Sequence, residues 1–305
     1  MQGNTVVAVA TTQDDLVELR LGNDYHLLDM AGYEFQFDAH IIDTFHLGGA
    51  QGDDSIHVIA TDVDDVASVL DQNGSIVSQA YAVHTYSFVN TTYDGQGGDD
   101  YTQIYGSLGD DILQGLPQDS TLTTPDTMIR MVGFERVDSY GRSGNDYASM
   151  YGTQGNDDYY TFDTYEVLQG PNMTQRTIGW DRVDAFGRGG NDRTHLYDTP
   201  GDDHFYAFEE YAVMQSSHLK AVVKGFEEIK ASANDGGNDT AYLRQVNSVD
   251  RLFAANNLAE IIGPARNTVA YDFERVETQA KPGSTPTGTV EEIDFVLDNI
   301  GDWIV

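Results

Sequence analysis

The stretch that decides the fold reads GWDRVDAFGRGGNDRTHLYDTPGDDHFYAF and runs from Gly179 to Phe208. A second copy, GFERVDSYGRSGNDYASMYGTQGNDDYYTF, runs from Gly133 to Phe162. Each copy contains two turns rich in Gly, Asn and Asp, the residues that best tolerate the positive φ of tight turns. Apolar and polar residues alternate on either side of these turns, as they do in half-buried strands. The stretch therefore predicts short β-strands joined by tight turns.

The two copies are 46 residues apart (179 minus 133), and this spacing continues from Ile42 to Phe273. One step is 47 residues long because a residue is inserted in the turn at 234–237, where insertion is tolerated. Positions that keep the spacing form one apolar and two acidic columns: Ile42, Phe88, Phe134, Trp180, Phe226 and Phe273; Asp54, Asp100, Asp146, Asp192 and Asp239; Asp65, Asp111, Asp157, Asp203 and Asp250. Two more columns are predicted to point inward: Val58, Ile104, Met150, Leu196 and Leu243; Ala67, Leu113, Tyr159, Phe205 and Leu252.

Short strands, tight turns and a fixed long period predict an all-β fold, a parallel β-solenoid of the β-helix or β-roll kind with about five 46-residue repeats. The repeats occupy residues 42–280. Residues 1–41 are predicted to form an N-terminal cap or atypical first coil. Residues 281–305 are predicted to be a linker and an acidic tail containing a short amphipathic helix. Whether one repeat makes one wide coil or two coils of half that length is left open.

The composition excludes several classes of function. The chain has 50 acidic and 16 basic residues, and its net charge of −34 has the wrong sign for a general nucleic-acid or anionic-membrane surface. It has no cysteine, which excludes disulfides and thiolate metal sites. It has no run of about 18 apolar residues, and its first residues lack the basic and apolar segments of a signal peptide. We therefore expect no nucleic-acid partner and no membrane insertion.

The turns resemble those of RTX (hemolysin-type) calcium-binding repeat proteins. The segment LGDDILQG, residues 108–115, has the Gly-x-Asp-x-apolar core of that repeat, and GGDDYTQI, GGNDRTHL and GGNDTAYL share it. The resemblance is limited to the turns between Gly52 and Asp250. It implies a secreted or cell-surface bacterial β-solenoid in which carboxylates and turn carbonyls of adjacent coils hold Ca²⁺. The metal-binding residues that it implies are Asp99, Asp100, Asp110, Asp111, Asp146, Asp157, Asp192, Asp202, Asp203 and Asp239.

Physical arguments also favour a cation. If members of one acidic column stack about 4.8 Å apart, two carboxylates repel each other by roughly 3 kcal/mol at an effective dielectric constant near 20. Calcium takes about six to eight oxygen ligands, which such turns supply. The alternative is that Asp and Asn form plain structural turns by bonding to nearby backbone. Asparagines that dilute the charge favour this alternative: Asn145, Asn156, Asn191 and Asn238.

Residues between the inward columns are predicted to form one outward face with aromatic, His and Arg groups in rows. Because exposed aromatic rows can stack on sugar rings, this face is a candidate glycan-binding surface: Tyr101, Tyr105, Tyr147, Tyr151, Arg193, His195 and Tyr197. One alternative is a structural ladder of cross-strand Tyr pairs, each worth about 0.2 to 1 kcal/mol. Another is a catalytic face, in which Tyr or His near Arg abstracts a proton next to a uronate.

Histidine is concentrated near the N-terminus. Four of the eight histidines lie between residues 26 and 57 and are the best candidates for a catalytic base, although ordinary surface or capping roles are the alternative: His26, His40, His46 and His57. No His pair has the ligand spacing of a helix or turn, so the sequence predicts no transition-metal site. No Ser-His-Asp set and no phosphate-binding loop is present.

Two functional hypotheses follow. The first is a non-catalytic extracellular repeat domain, stabilised by calcium, with a structural or adhesive role at the cell surface or matrix. The second is a polysaccharide-active enzyme, a lyase or epimerase on acidic glycans, by analogy with other β-helical proteins. In both hypotheses the partners are polysaccharides or cell-surface components.

Overall fold

The computed structural model describes residues 4–264 and 267–305, and within these ranges every regular element is a β-strand. The predicted fold class is confirmed, since the chain is all-β and its coils stack in parallel as a β-solenoid of about eight turns. No segment in these ranges forms a helix of the length and hydrophobicity needed to cross a membrane. The strands group into two compact units, residues 1–147 with 172–178, and residues 148–171 with 179–305.

The first unit contains eight strands of each of two sheets, and these two groups of strands are termed sheets A1 and B1. In spatial order, sheet A1 consists of β1 (Thr5–Val9), β5 (Thr44–Gly48), β9 (Ala82–Tyr86), β8 (Asn73–Val77), β7 (Val66–Leu70), β11 (Tyr101–Tyr105), β15 (Arg136–Tyr140) and β19 (Met173–Ile178). Sheet B1 consists of β12 (Ile112–Leu116), β13 (Asp119–Thr123), β14 (Met128–Val132), β10 (Asn90–Asp94), β6 (Ser55–Ile59), β2 (Leu16–Arg20), β3 (Tyr25–Met30) and β4 (Tyr33–Asp38).

The second unit has the same construction, with sheets A2 and B2. Sheet A2 consists of β18 (Tyr165–Gly170), β17 (Asp158–Thr161), β21 (Arg193–Tyr197), β25 (Glu228–Ser232), β29 (Asn267–Tyr271), β28 (Leu258–Ile262), β27 (Arg251–Asn256) and β31 (Thr287–Ile293). Sheet B2 consists of β32 (Val296–Ile300), β30 (Arg275–Ala280), β26 (Thr240–Val246), β22 (His204–Ala207), β23 (Tyr211–Gln215), β24 (Lys220–Lys224), β20 (Arg182–Phe186) and β16 (Tyr147–Tyr151).

Successive 46-residue repeats begin in opposite sheets of a unit. The repeat at Phe88 starts with β10 in sheet B1, continues with β11 in A1 and ends with the three-stranded meander β12–β14 in B1, so the next repeat starts with β15 in A1. Column neighbours such as Val58 and Ile104 therefore lie in different sheets. The repeat is neither one wide coil nor two equal coils. The expectation that members of one column stack directly on each other is wrong.

The meanders are antiparallel, whereas the strands that link successive coils, such as β7 with β11 and β21 with β25, pair in parallel. Their tight turns need a residue with positive φ, and Gln118 (φ 64°) and Asn172 (φ 55°) supply it directly after Pro117 and Pro171. Pro followed by a residue of positive φ is the arrangement of a type II turn. These turns give each repeat two extra strands and therefore explain its unusual length.

The core is built from the inward columns. Their members are no more than 3% exposed, as the period-two alternation predicted: Val58, Ile104, Met150, Leu196 and Leu243; Ala67, Leu113, Tyr159, Phe205 and Leu252. In the apolar column that starts each repeat, Phe88, Phe134, Trp180, Phe226 and Phe273 are also buried, while Ile42 is partly exposed.

Both chain ends contribute strands. In the predicted cap, residues 4–41 carry β1–β4, and residues 1–3 lie outside the described ranges. The helix expected within residues 281–305 is wrong, because Thr287–Ile293 pairs in parallel with β27 and Val296–Ile300 pairs in parallel with β30. The acidic residues of this segment are compatible with a helix, but the unpaired backbone edges of the preceding coil offer hydrogen bonds to a strand.

Candidate functional site

All ten aspartates of the acidic columns are buried, with none more than 4% exposed. Each immediately precedes a strand, at the corner where the chain enters a sheet. A buried carboxylate needs hydrogen bonds or ions to offset the loss of its hydration. The partners of these side chains therefore show what the columns do in the fold.

Backbone amides of an adjacent coil are recurrent partners. An aspartate N–H donates to the Oδ1 of the aspartate on the next coil at 2.7–2.9 Å in four pairs: Asp65–Asp100, Asp111–Asp146, Asp157–Asp192 and Asp203–Asp239. Each pair joins one acidic column to the other, at a separation of 35 or 36 residues. The carboxylates thus cap the first N–H at a strand entrance.

The carboxylates of Asp111, Asp157 and Asp203, which belong to the other acidic column, are instead satisfied within their own loops. Asp111 accepts hydrogen bonds from the backbone N–H and the hydroxyl of Ser107, at 2.7 and 2.8 Å. The same four-residue spacing recurs in Thr153–Asp157 and Thr199–Asp203. A hydroxyl residue four positions before the second aspartate is therefore part of the turn chemistry.

The exposed turn residues behave in the same way. Backbone N–H groups donate to the Oδ1 of an aspartate on the previous coil at 2.8–3.0 Å in three pairs: Asp99 to Asp64, Asn145 to Asp110, and Asn238 to Asp202. Every residue of the implied calcium set is thus placed at a turn corner, and these hydrogen bonds give the corners a structural role.

Burial raises the pKa of several column aspartates, to about 7 for Asp100 and to about 6 for Asp65, Asp192 and Asp239. The Oδ2 atom of Asp100 is buried without a hydrogen-bond partner among the described residues. The N–H of Gln96, four residues earlier, donates to Asp94 at 3.1 Å instead. Nearby carboxylates add repulsion that also disfavours the charged form.

Calcium binding at these turns stays a prediction. Within the part of the chain that the structure describes, no three His, Asp or Glu side chains are grouped as metal ligands. We expect the melting temperature to be higher in millimolar Ca²⁺ than in EDTA, because a cation held by native turns stabilises a chain of net charge −34. Magnesium at the same concentration is the control, because it screens the negative charge of the chain as any divalent cation does. Equal melting temperatures in Ca²⁺ and EDTA would leave backbone capping as the only role.

The single outward face expected from the sequence is not formed, because the repeats alternate between sheets. Its members are distributed over three strands: Tyr101 and Tyr105 on β11, Tyr147 and Tyr151 on β16, and Arg193, His195 and Tyr197 on β21. Strand β11 belongs to sheet A1, whereas in the second unit β16 and β21 belong to B2 and A2. Each strand must therefore be considered with its own neighbours.

On sheet A1, a buried carboxylate organises the outer face. Asp138 is fully buried, and its Oδ2 accepts hydrogen bonds from Tyr101 at 2.8 Å, Arg136 at 3.2 Å and Arg176 at 2.5 Å. The Arg136 guanidinium also lies 4.7 Å from the centre of the Tyr101 ring. Through this one carboxylate oxygen the cluster ties together side chains of β11, β15 and β19, so it is an interstrand clamp rather than an open site.

Two other predicted tyrosines form cross-strand stacks. Tyr105 stacks on Tyr140 with ring centroids 4.6 Å apart, and Tyr151 stacks on Phe186 at 4.8 Å. These isolated pairs match the structural ladder considered above. They are therefore weaker candidates for ligand binding than a larger aromatic surface.

Such a surface occurs on the outer face of sheet A2. Five half-exposed rings, termed the aromatic platform, are stacked in one group: Tyr160, Phe162, Tyr165, His195 and Tyr197. Phe162 lies 4.6 Å from Tyr165 and 5.3 Å from Tyr197, and His195 lies 4.2 Å from Tyr197, measured between ring centroids. Neighbouring rings are within 24° of parallel and are stacked on one another, so the group presents ring edges and the ring faces left open at its ends.

A groove of about 130 Å³ adjoins the aromatic platform. It is lined by Asp158, Tyr160, Arg193, Thr194, His195, Glu228 and Lys230. Pockets that enclose small ligands are larger, roughly 300–1,000 Å³. The groove is therefore suited to hold one substituent of a ligand that lies across the platform.

The charges of the groove are internally paired. Arg193 donates two hydrogen bonds to Asp158, at 2.9 and 3.1 Å, and the Lys230 ammonium lies 2.5 Å from Glu228. The carboxylates of Asp158 and Glu228 thus pair with the two cations that would otherwise attract an anionic ligand. The groove consequently offers donors and acceptors without a net positive charge.

His195 is held in a defined orientation. Its Nε2 lies 2.9 Å from the Ser232 hydroxyl, and its ring stacks on Tyr197. Burial, together with the nearby Lys230 charge, lowers the pKa of His195. The imidazole is therefore neutral at pH 7 and can exchange hydrogen bonds with a polar ligand.

A second platform lies on the outer face of sheet B2. Tyr206 stacks on Tyr242 at 4.8 Å, Phe208 stacks on Tyr211 at 4.6 Å, and the Arg244 guanidinium lies 4.9 Å from the Tyr242 ring centre. The first three of its aromatic residues follow those of the aromatic platform by one repeat of 46 residues, at 206, 208 and 211. The repeat thus carries its aromatic surface to the opposite sheet of the second unit.

The four N-terminal histidines do not form a cluster. His26 is buried, accepts the N–H of Gly22 at 3.2 Å and lies 3.0 Å from the Ile42 carbonyl, so its role is structural. His46 is on β5 in sheet A1, His57 is on β6 in sheet B1, and His40 is in the connection between β4 and β5. The four histidines are therefore spread over separate elements, and the catalytic role considered for them stays a prediction.

Sequence reasoning identified His195, Tyr197 and Arg193 but missed Tyr160, Phe162 and Tyr165. The signal for the missed residues is a Phe-x-x-Tyr pair that recurs at 162–165 and 208–211. Each pair closes the first hairpin of a meander, where the Phe N–H donates to the Tyr carbonyl at 2.9 Å. Because that carbonyl lies across a tight turn, the two rings are brought to the same face.

The chain matches no protein-family model and no curated protein.

Proposed function

We propose that the chain is a non-catalytic, extracellular repeat protein that binds polysaccharide through the aromatic platform and acts in adhesion or matrix structure. The observation that carries this proposal is the group of five stacked, half-exposed rings beside a polar groove. The C–H faces of sugar rings pack on aromatic faces, and polar groups at the rim bind their hydroxyls. Secretion and calcium stabilisation belong to the same proposal and rest on the resemblance of the turns.

The preferred ligand is a neutral or amino-sugar polysaccharide. The net charge of −34 repels polyanions at long range. At short range, Arg193 and Lys230 are already engaged by Asp158 and Glu228. A uronate would have to displace these acids, whereas neutral hydroxyl groups can share the existing donors and acceptors.

The presence of two platforms favours binding to polymers over binding to single sugars. The aromatic platform lies on sheet A2 and the second platform on sheet B2, so the second unit has an aromatic surface on each sheet. Individual sugar contacts are weak, but several contacts on one polymer or surface add up through effective concentration. An adhesive or matrix role requires this kind of avidity.

Replacing Tyr197 by Ala is expected to weaken the binding of a neutral oligosaccharide at the aromatic platform by tenfold or more, about 1.4 kcal/mol. The substitution removes the ring that contacts both Phe162 and His195. Isothermal titration with oligosaccharides chosen from a screen of neutral and amino-sugar polymers measures the effect. The Tyr242→Ala background removes the second platform and isolates the first.

Tyr105→Ala is the matched control, because it also deletes a stacked, outward tyrosine but lies in the isolated pair on sheet A1. We expect its oligosaccharide affinity to equal that of the unmodified protein. A wild-type chain that binds no polymer in the screen would refute the proposed function. Equal losses of oligosaccharide affinity in Tyr197→Ala and Tyr105→Ala would show that the ligand does not bind at the aromatic platform.

One observation favours a second candidate, a lyase acting on uronate polymers. The groove brings Tyr160, Arg193 and His195 together, the three residue types that β-elimination needs for proton abstraction and carboxylate recognition. In such a step a base removes the C5 proton, the C4–O bond breaks, and a C4=C5 double bond forms. The pairing of Arg193 with Asp158 weakens this candidate.

Incubation with uronate polysaccharides tests the lyase directly, because each elimination creates a new absorbance from the unsaturated sugar. We expect no such absorbance. Product formed by the wild type and lost in His195→Ala, with Tyr105→Ala unaffected, would replace the binding proposal by the enzymatic one.

A further inference from the structure

A pair of histidines on sheet A1 is outside the surfaces described so far. His46 on β5 and His84 on β9 are directly paired across parallel strands. Their rings are stacked, with centroids 4.9 Å apart and planes 18° from parallel. Both side chains are half-exposed on the outer face of the sheet.

A neighbouring tyrosine orients one of the two rings. The Tyr86 hydroxyl lies 3.2 Å from His46 Nδ1, and the Tyr86 ring is 9° from parallel to the His46 ring. Among the described residues, His46 Nε2 and the two ring nitrogens of His84 have no hydrogen-bond partner. A ring whose Nδ1 is engaged presents its Nε2 to an incoming ligand.

The protonation state suits a metal ligand. Burial and the proximity of His46 lower the pKa of His84. The lowered pKa of His84 favours the neutral form of that ring. Metals bind the neutral imidazole through the lone pair of a ring nitrogen.

We propose that His46 and His84 form a site for a divalent transition metal that prefers imidazole, with Cu²⁺ bound most tightly and water completing the coordination shell. Copper heads the affinity order of the divalent first-row ions for nitrogen ligands. Imidazole nitrogens lie about 2.0–2.1 Å from such metals, so the two rings must rotate out of their stacked arrangement to bring one nitrogen of each to a shared ion. No further His, Asp or Glu among the described residues joins the pair in a group of three.

This site differs chemically from the predicted calcium turns. Calcium prefers hard oxygen ligands, whereas the His46–His84 pair offers two imidazole nitrogens. The site is also independent of polysaccharide binding, because it lies in the first unit and both platforms lie in the second. The result of the metal-binding experiment therefore neither supports nor weakens the proposed polysaccharide binding.

Copper titration of the full chain tests the proposal. After EDTA treatment and removal of the chelator, calorimetry is expected to show one Cu²⁺ site tighter than the background, and paramagnetic resonance is expected to show nitrogen ligation. His46→Ala and His84→Ala should each weaken this site at least tenfold. Tyr86→Phe should weaken it by about tenfold, the lower end of the effect of removing an orienting partner.

His57→Ala is the matched control, since it removes a half-exposed histidine from the outer face of sheet B1. It should leave the tight Cu²⁺ site unchanged. Unfolding in EDTA is expected to be the same for all four variants, which verifies that each is folded. Undiminished Cu²⁺ affinity in folded His46→Ala and His84→Ala would overturn the proposal, as would the absence of a nitrogen-ligated site in the wild type.

Discussion

Gly237→Ala is expected to lower the free energy of unfolding by about 3 kcal/mol, because it adds backbone strain to a steric overlap. Gly237 has a φ of 134°, a conformation that a side chain rarely allows. A Cβ atom added to it would lie 2.5 Å from the carbonyl carbon of Gly201 on the previous coil. That neighbour is backbone and cannot rotate away, so the coils would have to separate locally.

Gly201→Ala is the control within the same contact. Its φ is not positive, and a Cβ added there meets no atom within 4 Å. We expect a change within about 0.5 kcal/mol, as for an ordinary surface substitution. Urea unfolding midpoints and melting temperatures of the two variants provide the comparison. Equal destabilisation would show that loss of glycine flexibility, rather than contact between coils, determines the effect.

Stability in EDTA is expected to fall as the pH rises from about 5 to about 8, by about 3 kcal/mol or more. The pKa of Asp100 is raised to about 7, and those of Asp65, Asp192 and Asp239 to about 6. Between the unfolded pKa near 4 and these values, the folded chain binds more protons than the unfolded chain. The stabilisation that these extra protons give the folded chain is therefore complete at low pH. It is lost as the pH rises through the folded pKa values.

Asp100→Asn separates this effect from the general repulsion of an acidic chain. The amide oxygen can still accept the Asp65 N–H, while the buried charge is removed. We expect a higher melting temperature than the wild type at about pH 8 and a shallower dependence on pH. Asp99→Asn is the control, because it removes one charge from an exposed position in the same turn. Stability that rises with pH in EDTA would contradict the prediction.

Calcium would change the sign of this dependence. A metal ion held by ionised carboxylates stabilises the fold more as the pH rises, since protons compete with the ion for the same oxygens. Thermal unfolding over the same pH range in EDTA and in Ca²⁺ therefore distinguishes capping carboxylates from metal ligands. Stability that falls with rising pH both in EDTA and in Ca²⁺ would show that the buried aspartates act only as caps of the backbone.

Much of the fold could be predicted because its determinants are local. Alternation with period two correctly identified the buried residues, such as Leu196 and Phe205, which are fully buried. Turn chemistry correctly identified the corners, where Gly190 has a φ of 113°. The wrong prediction of a helix near the C-terminus arose because a short acidic segment has no strong preference until it pairs with β27 and β30.

The candidate site could be predicted only in part. His195 and Tyr197 were identified from one strand, but their stacking partner Phe162 lies on a different segment, 35 residues before Tyr197 in the chain (197 minus 162). The predicted face combined residues such as Tyr151 and Tyr197, which lie on different sheets of the second unit, B2 and A2. A repeat that changes sheet at each step cannot be recognised from its period alone.

The sequence by itself determined that this protein is a repetitive β-solenoid with buried apolar columns, because strand alternation and glycine turns act over a few residues. Only the tertiary structure decided which columns are neighbours. Hydrogen bonds between residues 35 to 39 positions apart set the register, and the antiparallel meanders shift successive repeats to opposite sheets. That register buries the acidic columns as backbone caps, assembles the aromatic platform and brings His46 against His84.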